Sequence, residues 1–555
     1  MIIQEMYRLI VFALITTVHL VHVIESLMIS IDQGTINGTY LKARSNKTFN
    51  AFFRIPYAQP PVGDLRFKPP VEAEPWSGIR NGSVFPSECV QYSREINGTK
   101  GSEDCLYLNV YTPLDAREGQ NLSVIVYIYG GVYKSSSNLI DGPNYIMDKN
   151  VILVQPNYRA GVLGFLSTGD IVIPGNFGLK DQLLALKWVQ KNIYHFGGDP
   201  NKITLQGHSS GGVCVHLHTL SPSSKGLFQK VIIQSGNGMC ALSYFGPDVT
   251  RAVAKEFAVR AGCPSFNSSQ EIYECLMDME AEKMPLIQEE MYIWDQDPDA
   301  TFRPTIEDIN SDQAFLTDFP QNLQYHSPDL PWIIGMTTGE AAFKVARYLE
   351  NGGERSSQID ENYKLLFPII MQYLWNTKTD HLNYISLAIR THYFADQGIG
   401  DETAVELTSM LTEGLFGICT IDTIFSYPGQ KYVYWYDYVS NYSTQNIIGD
   451  YNEYLGVSHG DEVHLLFYRD YSAAVLTEQD VMFSEELVNR FVNFINSGNP
   501  NLPEAINKTI MGTWEPMTSN RIEYLFMNLN GSMQTDLYKG TYDFWKSLPI
   551  GSKYL

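Results

Sequence analysis

A serine stands at the centre of a short glycine-flanked motif, Gly-His-Ser-Ser-Gly, at residues 207–211. The run before it, 203–205, is apolar and β-branched, and the run after it, 213–218, is compatible with a helix. At such a strand-to-helix turn the serine hydroxyl is pushed out of the backbone, and the glycines let the strand and the helix pack closely. Ser209 is therefore predicted to be a nucleophile. The alternative is a glycine-rich turn with a structural role.

A serine hydroxyl is a weak nucleophile until a base removes its proton and a carboxylate orients that base. Of the eleven histidines, His459 lies in a glycine-flanked loop, 456–462, after a tyrosine-rich run. It is the predicted base, because the order serine, acid, histidine is typical of folds built on this turn. Glu340, which follows the end of a predicted strand at Gly335, is the predicted acid. The alternative is a glutamate at a helix start that interacts with free N–H groups.

Three histidines close to Ser209 in the sequence are given other roles. His208 is expected to point away from Ser209, and His216 and His218 fall on different faces of the following helix, packed or solvated. No metal site and no cofactor is predicted, and the chain has no Cys-x-x-Cys pair.

Apolar runs and helical patterns alternate around the serine motif. Runs at 124–129, 151–154, 230–234, 331–335 and 432–436 predict strands. Gly130 and Gly131 follow the first of these, where backbone N–H groups can face a ligand. A helix is predicted from Asp181 onwards. The alternation predicts an α/β fold with a mainly parallel sheet, over which the less regular residues 241–330 lie as an insertion.

Length, composition and charge narrow the function classes. The chain has 555 residues, of which 44% are apolar and 18% charged, so it can bury a large core. The net charge of −22 and the lack of a basic stripe argue against nucleic acid as a partner. No repeat or linker is visible, so residues 27–555 are predicted to form one domain.

The first 26 residues have the pattern of a targeting segment. Arg8 precedes an apolar run that ends near Ile24 and is too short for a comfortable membrane span. No membrane anchor is predicted elsewhere, so 1–26 is read as a signal peptide and the mature protein as soluble and secreted. Nine Asn-x-Ser/Thr sequons fit that route as candidate glycosylation sites: Asn37, Asn46, Asn81, Asn97, Asn121, Asn267, Asn441, Asn507 and Asn530.

Seven cysteines are available for disulfides in an oxidising compartment. The short-range pairs Cys89–Cys105 and Cys263–Cys275 are the natural bridges, because each closes a small loop. The other three, Cys214, Cys240 and Cys419, are odd in number, so at least one thiol should be free. Cys214 is expected to be a buried small hydrophobe.

Several further motifs accompany the serine turn. They are Ile-Pro-Tyr-Ala at 55–58, Pro-Pro-Val-Gly at 60–63, Glu-Asp-Cys-Leu-Tyr-Leu-Asn at 103–109, Asn-Tyr-Arg at 157–159, Gly-Leu-Lys-Asp-Gln at 178–182 and Phe-Gly-Gly-Asp-Pro at 196–200. With them, residues 30–548 resemble the type-B carboxylesterase (cholinesterase-like) family of α/β hydrolases, and most of all its secreted insect esterases. The resemblance implies the α/β-hydrolase fold, a large, mostly parallel sheet flanked by helices.

The resemblance also implies site residues. Ser209 would be the nucleophile, Glu340 the acid and His459 the base. The backbone N–H groups of three residues would form the oxyanion hole: Gly131, Val132 and Ser210. The family's two N-terminal disulfides fall on Cys89–Cys105 and Cys263–Cys275, whereas its further bridge from near Cys419 has no downstream partner.

Val132 is the main departure from the family pattern, which has a third glycine at this position. Valine keeps its N–H but disfavours a positive φ, and its branched side chain lies beside the acyl site. We expect a narrower acyl pocket and, at worst, a misplaced oxyanion donor, which costs about 3–4 kcal/mol. Ser210 stands where the family has alanine and still donates through its backbone.

The predicted function is a generalist secreted carboxylesterase that acts on an uncharged small-molecule ester. A cholinesterase is disfavoured, because the fifteen residues between Cys89 and Cys105 include no tryptophan to hold a quaternary ammonium. A specific juvenile-hormone, odorant or pheromone esterase is an alternative, although juvenile hormone esterases typically have Gln at the position of His208. The alternative of another class is a catalytically impaired cholinesterase-like binding protein, which the Val132 change favours.

Overall fold

The computed structural model describes residues 27–551 apart from 136, 449–450, 452, 470–474, 502–509 and 519. The proposed signal peptide and Asn507 lie outside the described residues. Of the other eight sequon asparagines, seven are exposed and Asn37 is half-buried, so all eight can be reached from solvent.

The centre of the fold is a sheet of eleven strands. Its strands within the described residues are β3 (Thr39–Lys42), β4 (Thr48–Pro56), β8 (Tyr107–Pro113), β9 (Leu122–Ile128), β10 (Ile152–Pro156), β11 (Gly198–His208), β12 (Lys230–Gln234), β13 (Trp332–Thr337), β14 (Lys431–Tyr436), β15 (Glu523–Met527) and β16 (Ser532–Thr535). Their spatial order is β16-β15-β14-β13-β12-β11-β9-β10-β8-β4-β3. From β10 to β15 neighbouring strands run parallel, whereas the strands beyond them at both edges pair antiparallel.

Two small sheets lie outside the main one. One contains β1 (Met28–Ile31), β2 (Gly34–Asn37) and β5 (Ile79–Asn81), and the other contains β6 (Gln91–Ser93) and β7 (Gly98–Lys100). The α-helices are Gly161–Phe165, Phe177–Asn192, Ser210–Leu220, Pro247–Arg260, Ser269–Met277, Met284–Glu289, Ala342–Ile370, Thr379–Phe394, Ala404–Thr412, Ile418–Ser426, Thr444–Ile448, Val463–Leu466, Glu478–Ser497 and Thr541–Ser547.

The predicted strands coincide with the central strands of the sheet. The runs that predicted them are buried along nearly their whole length, because helices cover both faces of a parallel sheet. The predicted helix begins at Phe177, slightly before Asp181. The α/β class with a mainly parallel sheet is therefore confirmed. Residues 241–330 contain three helices and are otherwise largely irregular.

Three disulfides tie the described chain together. Cys89–Cys105 and Cys263–Cys275 form as predicted, with S–S distances of 2.01 and 2.08 Å. The third, Cys240–Cys419, was missed, because the family pattern points downstream of Cys419 and its partner lies 179 residues upstream. Cys214 is free and buried, as expected.

The pair Arg66–Glu103 anchors an irregular N-terminal segment to the core. Nε and Nη2 of Arg66 each donate to Glu103 at 2.7 Å, and Nη1 donates to three backbone carbonyls at residues 276–279. Both side chains are largely buried. The bidentate geometry makes this a strong structural link.

One helical stretch within the described residues, Asp401–Ser426, is long and apolar enough to cross a membrane. In this fold 72% of its most apolar window is buried inside the protein, as in the core helix of a globular domain.

Candidate active site

Ser209 lies at the corner between β11 and the helix Ser210–Leu220. Its backbone has φ 59° and ψ −128°, a conformation that L-residues rarely adopt. The corner is tight: a Cβ on Gly207 would lie 2.5 Å from the carbonyl oxygen of Gly211. The serine N–H donates to the carbonyl of Gln234 on β12 at 2.8 Å. The strand, the strained serine and the glycines together form the turn that the sequence predicts.

His459 and Glu340 form a direct pair. Nδ1 of His459 lies 2.5 Å from Oε2 of Glu340, whose side chain is fully buried. The other oxygen of Glu340 accepts from the hydroxyl of Ser235 at 2.6 Å and from the N–H of Thr337 at 2.8 Å. A carboxylate held on both oxygens cannot rotate freely, so it fixes the orientation of the imidazole.

A pair of glycines lets the two loops that carry Glu340 and His459 approach each other. Gly339 and Ser458 form an isolated parallel bridge, and the N–H of Gly339 donates to the carbonyl of Val457 at 2.9 Å. A Cβ on Gly339 would lie 2.8 Å from Cα of Gly456. Any larger residue at position 339 would therefore push the acid and the base apart.

The loop after β9 lies against Ser209, and its residues 130–133 are called the glycine loop below. A Cβ on Gly130 would come within 3.4 Å of the Ser209 hydroxyl oxygen. Gly131, Val132 and Tyr133 have φ values of 122°, 56° and 59°. The valine thus adopts the left-handed conformation that its side chain disfavours, and a second non-glycine residue follows in the same region.

Tyr133 anchors this strained loop. Its N–H donates to the Ser210 hydroxyl at 3.3 Å, and its carbonyl accepts from the N–H of Gly161 at 2.5 Å. Its ring is buried against Phe165, with 5.2 Å between the ring centroids. The hydroxyl that replaces the family's alanine is thus a contact between the serine turn and the glycine loop.

Glu462 is a further residue of the site, and no motif in the sequence points to it. Its Oε1 lies 3.5 Å from the Ser235 hydroxyl, the group that donates to Glu340, and accepts from Tyr434 at 3.2 Å. Burial, and then the charge of Glu340, raises the pKa of Glu462 to about 7. Its position three residues after His459 is the only sequence signal that could have suggested it.

His208 does not turn away from the site, contrary to expectation. Its ring lies 4.6 Å from that of His459, and it lines the same cavity as Ser209. Burial, together with the charge of His459, holds its pKa well below the usual value of 6.5. A neutral imidazole therefore packs against the proposed base.

His216 and His218 are buried and hydrogen-bonded, and burial lowers the pKa of each to about 3.

Ser209 and His459 face one cavity of about 260 Å³. The three oxyanion candidates also line it, and Glu340 lies directly behind His459. Apolar side chains form much of the wall, among them Val132, Leu242, Phe343 and Phe416. The rings of Phe343 and Phe416 lie 5.8 and 5.1 Å from that of His459. The arrangement brings together the proposed nucleophile, an imidazole held by a carboxylate and a partly apolar cavity wall.

Comparisons with known proteins agree with this geometry. The model of the carboxylesterase family matches residues 25–545. Esterase FE4 of Myzus persicae is 36% identical over 506 residues, which cover 89% of this chain and 87% of that protein. Venom carboxylesterase-6 of Apis mellifera is 31% identical over 94% of both chains.

Among solved structures, juvenile hormone esterase from Manduca sexta, with OTFP covalently attached, matches with a TM-score of 0.83 and 26% identity. The match covers 94% of this chain and 99% of that one. The α/β-hydrolase fold is therefore confirmed. The chain belongs to the carboxylesterase family, and its relatives include proteins named carboxylesterase and carboxylic ester hydrolase.

Proposed function

We propose that the protein is a serine carboxylesterase that hydrolyses uncharged esters through an acyl-enzyme. The observation that carries the proposal is the 2.5 Å contact between His459 and Glu340, with His459 facing the same cavity as the strained Ser209. The Nδ1–H group of His459 donates a hydrogen bond to Glu340, and this fixes the tautomer in which Nε2 is unprotonated and able to act as a base.

The reaction begins when Ser209 attacks the ester carbonyl carbon and its proton passes to Nε2 of His459. The carbonyl oxygen of the tetrahedral intermediate then carries a negative charge. The backbone N–H groups of Gly131, Val132 and Ser210 stabilise it. His459 gives the proton to the leaving alcohol oxygen as the C–O bond breaks. Water, activated by His459, then releases the acid and restores Ser209.

An uncharged substrate fits the charges that line the cavity. Its charged groups other than His459 already have partners: Asp141 pairs with Arg469 at 2.5 Å, and Asp299 with Lys344 at 2.5 Å. A charged substrate would have to displace one of these pairs and lose solvation at an apolar wall.

We also propose secretion as the route of this enzyme. The support is the apolar N-terminal run at 1–26, the sequons, the three disulfides and the venom esterase among the relatives. On this route all nine sequon asparagines are the proposed glycosylation sites, and the eight that the structure describes are solvent-accessible. No membrane anchor or nucleic acid partner is proposed.

A narrower activity is the second candidate. The structural likeness to juvenile hormone esterase favours a specific hormone, odorant or pheromone esterase over a generalist one. A single preferred ester would show as a kcat/KM far above that of every other ester in a panel. A flat profile would leave the generalist assignment.

Purified protein should hydrolyse p-nitrophenyl acetate, and Ser209→Ala should lower kcat by at least about 10⁴-fold. Ser497→Ala removes an exposed helix-end serine and is the matched control, with activity expected to stay at the wild-type level. A wild-type protein inactive on every ester of a panel would contradict the proposal and support the impaired binding protein instead.

A further inference from the structure

A second cavity lies next to the catalytic one. Its volume is about 710 Å³, against about 260 Å³ for the cavity at Ser209. Its wall contains aromatic side chains, among them Phe245, Trp375 and Trp545, together with polar and charged ones such as Asp422 and Lys546. The proposed reaction uses none of these residues. Its volume lies in the range of cavities that hold small organic molecules.

The two cavities share the Cys240–Cys419 disulfide as a wall. Cys240 lines both cavities, and Cys419 lines the second. Close to Cys419 in the chain, Phe416 faces the catalytic cavity and Ile418 faces the second. Both half-cystines are buried, and their Cα atoms are 4.8 Å apart. The bridge and the residues beside it therefore separate the two spaces.

The wall is held by hydrogen bonds as well as by the disulfide. The side-chain amide of Asn237 donates to Thr420 at 3.1 Å and accepts from Thr423 at 2.6 Å. The carbonyl of Asn237 accepts from Ser243 at 2.6 Å. These bonds tie the segment around Cys240 to the helix Ile418–Ser426. The two segments thus remain linked when the sulfur atoms are removed.

We propose that the Cys240–Cys419 disulfide is a specificity-determining wall that limits the length of the ester chain the catalytic cavity accepts. The inference rests on the proposed esterase function. Cys240 lies in the wall of the catalytic cavity, and Cys419 is bonded to it on the side of the second cavity, so an ester chain that reaches Cys240 must end there or bend. Behind the bridge lies the second cavity, which is large enough for several methylene groups and is lined beside the bridge by Ala241 and Ile418. Removing the bulk of the wall would let a longer chain continue into it.

The test compares two variants that both lack the disulfide. Cys240→Ala with Cys419→Ala removes the bond and the bulk, whereas Cys240→Val with Cys419→Val removes the bond and keeps the bulk. Valines fit at this separation, which lies in the range of neighbouring residues on paired strands. The substrates are p-nitrophenyl esters with acyl chains of rising length and acetates of linear alcohols of rising length, so that either end of the ester can reveal the wall.

Each methylene that enters an apolar cavity raises kcat/KM by about fourfold. In one of the two series, the alanine pair should therefore raise the eight-carbon to four-carbon ratio of kcat/KM at least about tenfold. The valine pair should keep the wild-type ratio. Cys263→Ala with Cys275→Ala, which removes a disulfide that lines neither cavity, should also keep it.

Ala241→Trp keeps the wall and partly fills the second cavity. If the two spaces are separate, it leaves the chain-length profile of the wild type unchanged, and it cancels the gain of the alanine pair. The proposal that the disulfide limits chain length would be overturned if the alanine and valine pairs had the same chain-length profile of kcat/KM in both series. It would also be overturned if Ala241→Trp alone lowered kcat/KM for the longer esters. A wild-type protein without activity on any ester would instead overturn the esterase function itself.

Discussion

The hydroxyl of Ser210 accepts a hydrogen bond from the buried backbone N–H of Tyr133 and so holds the glycine loop beside Ser209. We expect Ser210→Ala to lower kcat while KM changes little. The backbone N–H of residue 210 is kept in the variant. Only the acceptor for the loop is lost, and this separates the side chain's role from the proposed oxyanion contact.

The size of the effect follows from two costs. A buried N–H without an acceptor costs about 1–3 kcal/mol. Val132 and Tyr133 at φ 56° and 59° each hold about 1–2 kcal/mol of left-handed strain, which drives the freed loop away from its position. The upper limit is the loss of one oxyanion donor, about 10²–10³-fold in kcat. We therefore expect a fall in kcat of roughly 5- to 100-fold.

Steady-state kinetics on p-nitrophenyl acetate measures this split between kcat and KM. A trifluoromethyl ketone, which forms a tetrahedral adduct with the serine, should lose affinity in parallel with kcat/KM. Val132→Gly relieves the strain, so in that background Ser210→Ala should cost several-fold less. Three results would refute this role of the Ser210–Tyr133 hydrogen bond: an unchanged kcat, a rise in KM alone, or an equal loss of kcat in the wild-type and Val132→Gly backgrounds.

Two further predictions concern stability. Burial raises the pKa of Glu462 from 4.5 to about 7. Between these pH values the folded protein holds a proton on Glu462 that the unfolded chain has released. The free energy of unfolding therefore falls by about 3 kcal/mol as pH rises from 4.5 to 7. Glu462→Gln should lack this loss and exceed the wild type in urea unfolding at pH 8 but not at pH 4.5; parallel curves would contradict it. Arg66→Met leaves the buried carboxylate of Glu103 unpaired and should cost about 3–5 kcal/mol in the same assay, with kcat on p-nitrophenyl acetate preserved. Adding Glu103→Gln should restore most of the lost free energy of unfolding. A double variant no more stable than Arg66→Met would show that lost packing, and not the unpaired charge of Glu103, causes the loss.

The sequence predicts the central strands and brings the proposed nucleophile, acid and base into the right chain order. It does so because each residue follows a strand of a parallel sheet, and such residues meet at one edge of the sheet. Those signals are local: glycine turns, apolar runs and a loop histidine. They do not depend on how distant segments pack.

The features that the sequence misses depend on distant packing. Cys240 and Cys419 meet only because the segment after β12 lies against the helix Ile418–Ser426. Glu462 becomes part of the site through a shared hydroxyl, Ser235, that no spacing rule connects to it. His208 faces His459 because the end of β11 lies beside the loop that carries His459, and the local sequence around either residue does not determine this packing.

The spread of Ser209, Glu340 and His459 over three strand ends has a consequence for biosynthesis. A nascent chain that has reached residue 400 contains the serine turn and Glu340 but not the proposed base, His459, and β14 and β15 are still to be made. A ribosome therefore cannot release a truncated product that carries all three groups unless translation has passed residue 459. Ester turnover in a cell-free translation reaction would count only chains synthesised past that point, so the onset of activity would mark late elongation.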